Sequence, residues 1–147
     1  MKKRSPTEYA LFLLSRRPRT EQEVVVALKR RGVDDEEIAE IVNKLKEWGY
    51  LNDQEYARDF VRFKMQKIFG PPVIKSELIK RGISPEIAEQ AIRSEYNMSF
   101  VMELAVKKAI KLLGNNPDDR TIRKVWNYFA RRGLPATEIL MAAREKL

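Results

Sequence analysis

The sequence predicts an all-α protein of three tandem three-helix repeats forming an elongated, curved body. Three observations carry that expectation. Apolar residues recur at helical spacing, capping residues and glycines mark where helices start and stop, and one glycine-terminated segment returns at Gly32, Gly82 and Gly133, at intervals of 50 and 51 residues.

The punctuation sets the elements. Ser5-Pro6-Thr7-Glu8 places an N-cap serine, a proline at the first helical position and a glutamate at the capping-box position. Thr20 with Glu23 repeats the box, Asn52 with Glu55 offers a weaker version, and Ser84-Pro85-Glu86 is another start. Arg17-Pro18, Gly32, Gly49, Gly70-Pro71-Pro72, Gly82, Gly114 to Pro117 and Gly133 to Pro135 separate the segments. Between them Ile38, Ile41, Val42, Leu45 and Trp48 form one apolar stripe, and Tyr56, Ala57, Phe60 and Val61 another. No stretch alternates long enough to demand a strand. The result is nine helices, over 6–16, 20–31, 35–48, 53–69, 72–81, 85–95, 98–113, 118–132 and 136–146.

Superposing the glycine corners reveals the repeat. Val24, Leu28 and Lys29-Arg30-Arg31-Gly32-Val33, then Ile38, match Ile74, Leu78 and Ile79-Lys80-Arg81-Gly82-Ile83, then Ile87. Val125, Phe129 and Ala130-Arg131-Arg132-Gly133-Leu134, then Ile139, give the third copy. The opening helices match at Tyr9-Ala10, Tyr56-Ala57 and Leu104-Ala105. Agreement at glycine, apolar and basic positions together signals internal duplication. The expected units are residues 1–50, 51–96 and 97–147, stacked on their neighbours. Their main variation is expected in the loop between first and second helices, lengthening from the first unit to the third.

Composition narrows the function. The chain has no cysteine and no histidine, so it lacks thiolate ligands, cysteine nucleophiles and the usual general base. No glycine-rich phosphate loop appears. Neither an enzyme nor a metal or cofactor site is expected. No apolar run approaches the ~18–20 residues that span a membrane, and the basic start is followed by a segment too short and charged for a signal peptide. A cytoplasmic monomer is the expectation.

With 29 Lys+Arg against 21 Asp+Glu, the net charge is +8, a balance that favours polyanionic partners. Each second helix ends in a cation pair, Arg30-Arg31, Lys80-Arg81 and Arg131-Arg132. Such pairs offset a helix dipole, but their recurrence also spaces basic corners along one side. Arg58, Arg62 and Lys64 add cations to the second unit, with Asp59 interleaved, and solvation explains these three as well as a partner does. The units carry +2, +1 and +5, from 11 and 9, 8 and 7, and 10 and 5 basic and acidic residues. The third is therefore the expected phosphate-facing part, through Lys107, Lys108, Lys111, Arg120, Arg123 and Lys124 with Arg131 and Arg132. The acidic run Asp34 to Glu37 with Glu40 fits a helix first turn. Trp48 and Trp126 are expected in core or inter-unit packing, and Tyr50 in the hinge between units one and two.

Gly49-Tyr50-Leu51-Asn52-Asp53-Gln54-Glu55-Tyr56-Ala57-Arg58-Asp59-Phe60-Val61, followed by Gly70-Pro71, Ile74, Glu77-Leu78 and Lys80-Arg81-Gly82-Ile83, resembles the RecX family of bacterial recombinase regulators. Ala10-Leu11, Leu14 and Arg17-Pro18-Arg19-Thr20-Glu21-Gln22-Glu23 look like that family's first repeat. The likeness covers residues 8–96, and residues 97–147 fit in length and repeat pattern. The family's usual Asp after Tyr-Leu is Asn52 here, and Asn caps a helix equally well. The resemblance implies a protein that binds the RecA filament on single-stranded DNA, lodges in its groove and lowers strand exchange, ATPase and co-protease activity. Two other readings stay open: a stand-alone helical DNA-binding module, and a helical scaffold with no nucleic acid.

Overall fold

Helices begin where the sequence supplies an acceptor. In the computed structural model, which describes residues 3–146, the chain forms α1 (Pro6–Arg16), α2 (Glu21–Arg30), α3 (Asp35–Glu47), α4 (Asp53–Gln66), α5 (Pro71–Lys80), α6 (Pro85–Glu95), α7 (Met98–Leu113), α8 (Asp119–Arg131) and α9 (Ala136–Glu145). Among the described residues there is no strand. Ser5, Thr20, Asp34, Asn52, Ser84, Asn97 and Asp118 each accept from the backbone N–H three residues on, satisfying a donor the helix leaves over. Thr20 and Glu23 close the full reciprocal box.

The three repeated glycines end α2, α5 and α8 in the same way. Gly32, Gly82 and Gly133 have φ of +82°, +92° and +76°. In each corner the glycine N–H donates to the residue three back, and the next residue's N–H donates to a carbonyl five back: Val33 to Leu28, Ile83 to Leu78, Leu134 to Phe129. Those are also apolar pairs, the contact that accompanies such a cap.

Elsewhere the chain departs from its sequence pattern. The helix expected to run to residue 69 stops at Gln66, because Ile68 takes the left-handed conformation (φ +64°) and closes the same turn, Phe69 N–H to Lys64 O, without a glycine. The loops lengthen by only one residue, in the third unit. Residues 17–20, 67–70 and 114–118 connect the first and second helices, while those first helices grow from 11 to 14 to 16 residues. Trp48 and Tyr50 are 54% and 57% exposed. Trp48 lies past the last turn of α3, and Leu51 folds back to take the core place beyond Leu45, its N–H donating to Leu45 O. Trp126 is also exposed; Val125 and Phe129 hold the core positions of α8, and its indole N–H donates to Thr137 Oγ1 at 3.1 Å.

Helices pack mainly within the successive triplets α1–α3, α4–α6 and α7–α9, with α4 also meeting α7. The first triplet has its own core around Val24, Leu28, Ile41 and Leu45, while the second and third share one that includes Val61, Ile74, Leu78, Phe129 and Ile139. The body is elongated: it exposes 9717 Å², against about 7,800 Å² for a compact protein of 17.2 kDa.

The second helices follow one another head to tail. At the first joint Thr20 Oγ1 donates to the Arg81 carbonyl at 2.7 Å, so the N-cap of α2 holds the C-cap of α5. At the second, Gly70 N–H donates to the Arg132 carbonyl at 2.7 Å, so the N-cap of α5 holds the C-cap of α8. Opposing helix ends thus satisfy each other's leftover donors and acceptors, and their dipoles attract. Repeating one such step turns a stack into a curved body. Thr20 is fully buried. Thr20→Val keeps its shape but removes both the cap and the joint bond, and is expected to cost about 2 kcal/mol in urea unfolding.

A second link at the first joint is Asp53, which is buried and accepts from Glu21 N–H at 3.0 Å. Burial raises its carboxyl pKa, against the lowering effects of that N–H and of Lys46. The folded carboxyl therefore takes up a proton at a pH where the unfolded one is still ionised. Its contribution makes the fold gain stability as pH falls from neutral through the raised pKa, the gain being complete below the ordinary 3.8. Asp53→Asn, which keeps an acceptor for Glu21, is expected to flatten that part of the curve when unfolding midpoints are followed from about pH 7 to about pH 4.

Candidate nucleic-acid interface

The cations named from sequence fall into two sets, those engaged inside the fold and those that are not. Arg62 pairs with Asp59 at 2.8 Å and Glu95 at 2.6 Å. Lys64 pairs with Glu77 at 2.9 Å, its Nζ is 4.5 Å from the Phe69 ring centroid, and its side chain is only 16% exposed. Arg58 is half-buried beside Gln54, Gln90 and Glu95. The C-cap arginines stack on aromatics of their surroundings: Arg31 on Tyr9, Arg81 on Phe60, Arg132 on Phe69 and Tyr128. Arg81 also donates to Tyr56 Oη at 2.8 Å. Two of the three basic corners, around Arg81 and Arg132, are thus built into the joints.

The third triplet differs. Seven ion pairs form among the described residues, and none uses a cation beyond Lys75. Lys107, Lys111, Arg120, Arg123, Lys124 and Arg131 are all exposed, and Lys108 is half-buried. α8 explains why several share a face. Its core side is Val125 and Phe129, so Arg120, Lys124, Asn127 and Arg131, at i, i+4, i+7 and i+11, form a stripe turned to solvent. Lys124 and Arg131 line an open groove of about 580 Å³ with Thr121, Tyr128 and, from α7, Leu112. Lys108 lies one turn before Leu112 on the same face of α7. Asp118 is spent on capping α8, its carboxyl held below the usual range by the Thr121 backbone and hydroxyl. The face is therefore a run of unneutralised cations with one tyrosine, suited to phosphate oxygens at several points along a chain.

Three cations absent from the sequence-derived set belong beside the first joint. Arg17 and Arg19, on the α1–α2 loop, line a cleft with Arg30, Lys80 and Arg81, and Arg16 lines the adjoining one. No signal in the sequence links a loop at residue 17 with a helix end at residue 80. The pairing depends on the Thr20–Arg81 bond.

Tandem three-helix units joined end to end, with an exposed basic face, define a class of helical-repeat proteins. The family within that class is shown by comparison. The first three-helix domain of RecX matches residues 7–45 and the second matches residues 52–92. The chain is 33% identical over 140 residues to the regulatory protein RecX of Pseudomonas putida, covering 92% of this chain and 88% of that protein. It is 35% identical to that of Caldanaerobacter subterraneus subsp. tengcongensis, covering 89% of this chain but 65% of the relative. The RecX of a Geobacillus species is likewise longer: the chain spans 53% of it. The crystal structure of RecX from Lactobacillus salivarius superposes with a TM-score of 0.80 at 32% identity, over 95% of this chain and 93% of that one. The chain belongs to the RecX family. Its named relatives are regulatory proteins, and no helix among the described residues is long and apolar enough to cross a membrane.

Proposed function

We infer that this protein acts as a cytoplasmic monomer that binds the RecA filament on single-stranded DNA and inhibits its ATPase, strand-exchange and co-protease activities. The observation that carries the reading is the stripe of unneutralised cations on α8, presented at one end of an elongated repeat of the RecX family. An extended body with spaced contacts suits an extended partner, and a basic face without carboxylate partners suits the DNA component of a nucleoprotein filament. Arg120, Lys124 and Arg131 meet phosphate in this reading, with Lys107, Lys108, Lys111 and Arg123 alongside. The first two triplets carry less net charge, and their surfaces away from the first joint face the recombinase.

The test is a titration of RecA ATPase on single-stranded DNA with this protein. Inhibition at or below one protein per recombinase protomer is expected. A flat response across that range sinks the reading. Tight duplex binding with no recombinase present supports the stand-alone DNA-binding module instead.

A further inference from the structure

The strongest concentration of positive charge outside α8 lies in the angle between α2 and the end of α5. There the first joint leaves a cleft of about 640 Å³. Gln22, Val26 and Arg30, at i, i+4 and i+8 along one face of α2, form one wall; Ile79, Lys80 and Arg81 form the other. Arg17 and Arg19 close the top. Five cationic residues thus line the cleft, the Arg81 guanidinium being turned to Tyr56 and Phe60, and its one carboxylate, Glu23, is already occupied. Glu23 accepts from Thr20 N–H at 3.0 Å and pairs with Arg17 at 3.4 Å. Arg30 and Lys80 are exposed and have no ion-pair partner among the described residues. Arg19 has its Nε buried with no acceptor among the described residues, a donor whose cost an anion nearby would lower.

This cleft does not end in isolation. Arg17 and Arg19 also line a second cleft of about 500 Å³, together with Arg16, Tyr50 and Tyr56. Tyr50 is the exposed aromatic next to Leu51, which turns into the core. Glu55 and Asp59 line this side too, so it is mixed in charge where the first cleft is basic. The segment of residues 16–19 therefore stands as an arginine ridge with an open basic cleft on one side and an aromatic ring on the other. A single strand likewise carries its phosphates along one edge and its bases along the other.

We propose that the first joint is a second nucleic-acid site: the α2–α5 cleft holds backbone phosphates of a single strand through Arg19, Arg30 and Lys80, and Tyr50 stacks on a base across the arginine ridge. This extends the nucleic-acid part of the proposed function but stands without the recombinase. A single strand fits better than a protein surface because the site pairs clustered cations with an unburied ring, the combination that base stacking and phosphate neutralisation require.

The test uses the full-length chain and a short fluorescent oligothymidylate, with no recombinase, over a range of salt. Arg30→Gln combined with Lys80→Gln is expected to weaken binding at least about ten-fold and to make the log–log salt slope shallower by about 1.4, the value for two single-strand phosphate contacts. Tyr50→Ala is expected to weaken binding about five-fold or more while leaving the slope unchanged. Both variants should melt with wild-type circular dichroism, since the side chains changed are exposed. Oligothymidylate affinity and slope unchanged in the Arg30–Lys80 variant overturns the proposal. The same holds if that variant loses only filament binding, for the cleft then faces protein. A positive result here with no ATPase inhibition leaves this site standing and fails only the filament reading.

Discussion

Gly70→Ala is expected to lower stability by about 3 kcal/mol, roughly 10 °C in Tm, although its backbone suits alanine. Gly70 has φ −85° and ψ 162°, ordinary extended values. On conformational grounds alone an added methyl would stabilise by about 0.4–1 kcal/mol, by restricting the unfolded chain. Space decides the sign. A Cβ at Gly70 would stand 2.2 Å from the Gly133 carbonyl oxygen and 2.7 Å from its carbon. Those are main-chain atoms of the next unit and cannot rotate aside, so the joint has to open and the Gly70–Arg132 bond with it. Gly32→Ala is the control. Its φ is +82° but nothing lies within 4 Å, so it should cost only the left-handed penalty of about 1–2 kcal/mol. Thermal melts of the two variants side by side check both. A Gly70→Ala protein as stable as wild type would remove the backbone joint from the account of this fold.

The second large effect concerns α8. Arg123→Ala, Lys124→Ala and Arg131→Ala together are expected to abolish most inhibition of the RecA ATPase and to weaken filament binding by about 100-fold. The salt slope should become shallower by about 2–3, one contact per cation. Stability should move by only a few tenths of a kcal/mol, because these side chains are exposed and make no ion pair among the described residues. Lys64→Ala should behave in the opposite way. It abandons Glu77 and two aromatic rings inside the fold, so it should lower the unfolding midpoint while leaving the salt slope of filament binding alone. Arg131 is the better probe than Arg132, whose guanidinium lies 3.9 Å from the Tyr128 ring centroid and whose carbonyl holds the second joint.

Local chemistry made the architecture legible. Ser5, Thr20, Ser84 and the glycine corners each act within four or five residues, and all of them perform the expected cap. What escaped depends on contacts remote in sequence. Gly70 reads as a helix stop, but the stop is made by Ile68, a residue with no turn signature, and Gly70 is small because Gly133 lies against it. Trp48 continues an apolar stripe by spacing, yet the stripe ends one turn early because Leu51 returns to cover the core. For the interface, the positive excess of the last third was visible in the composition. The division between engaged cations such as Arg62 and unneutralised ones such as Lys124 required knowing which carboxylates lie opposite. The cleft formed by Arg17, Arg30 and Lys80 required the joint itself.

Both joints are closed by main-chain carbonyls, and the three helices they connect share one axis order, α8 to α5 to α2. Bending such a rod between units means pulling apart two helix ends and stranding polar groups, rather than sliding one side chain past another. The protein therefore meets a partner as a gauge of preset spacing. Little ordering entropy is lost on contact, and any mismatch in repeat length has to be absorbed by the partner. In the proposed function, a body of this kind would register whether the filament is stretched or compressed by how well its spacing agrees.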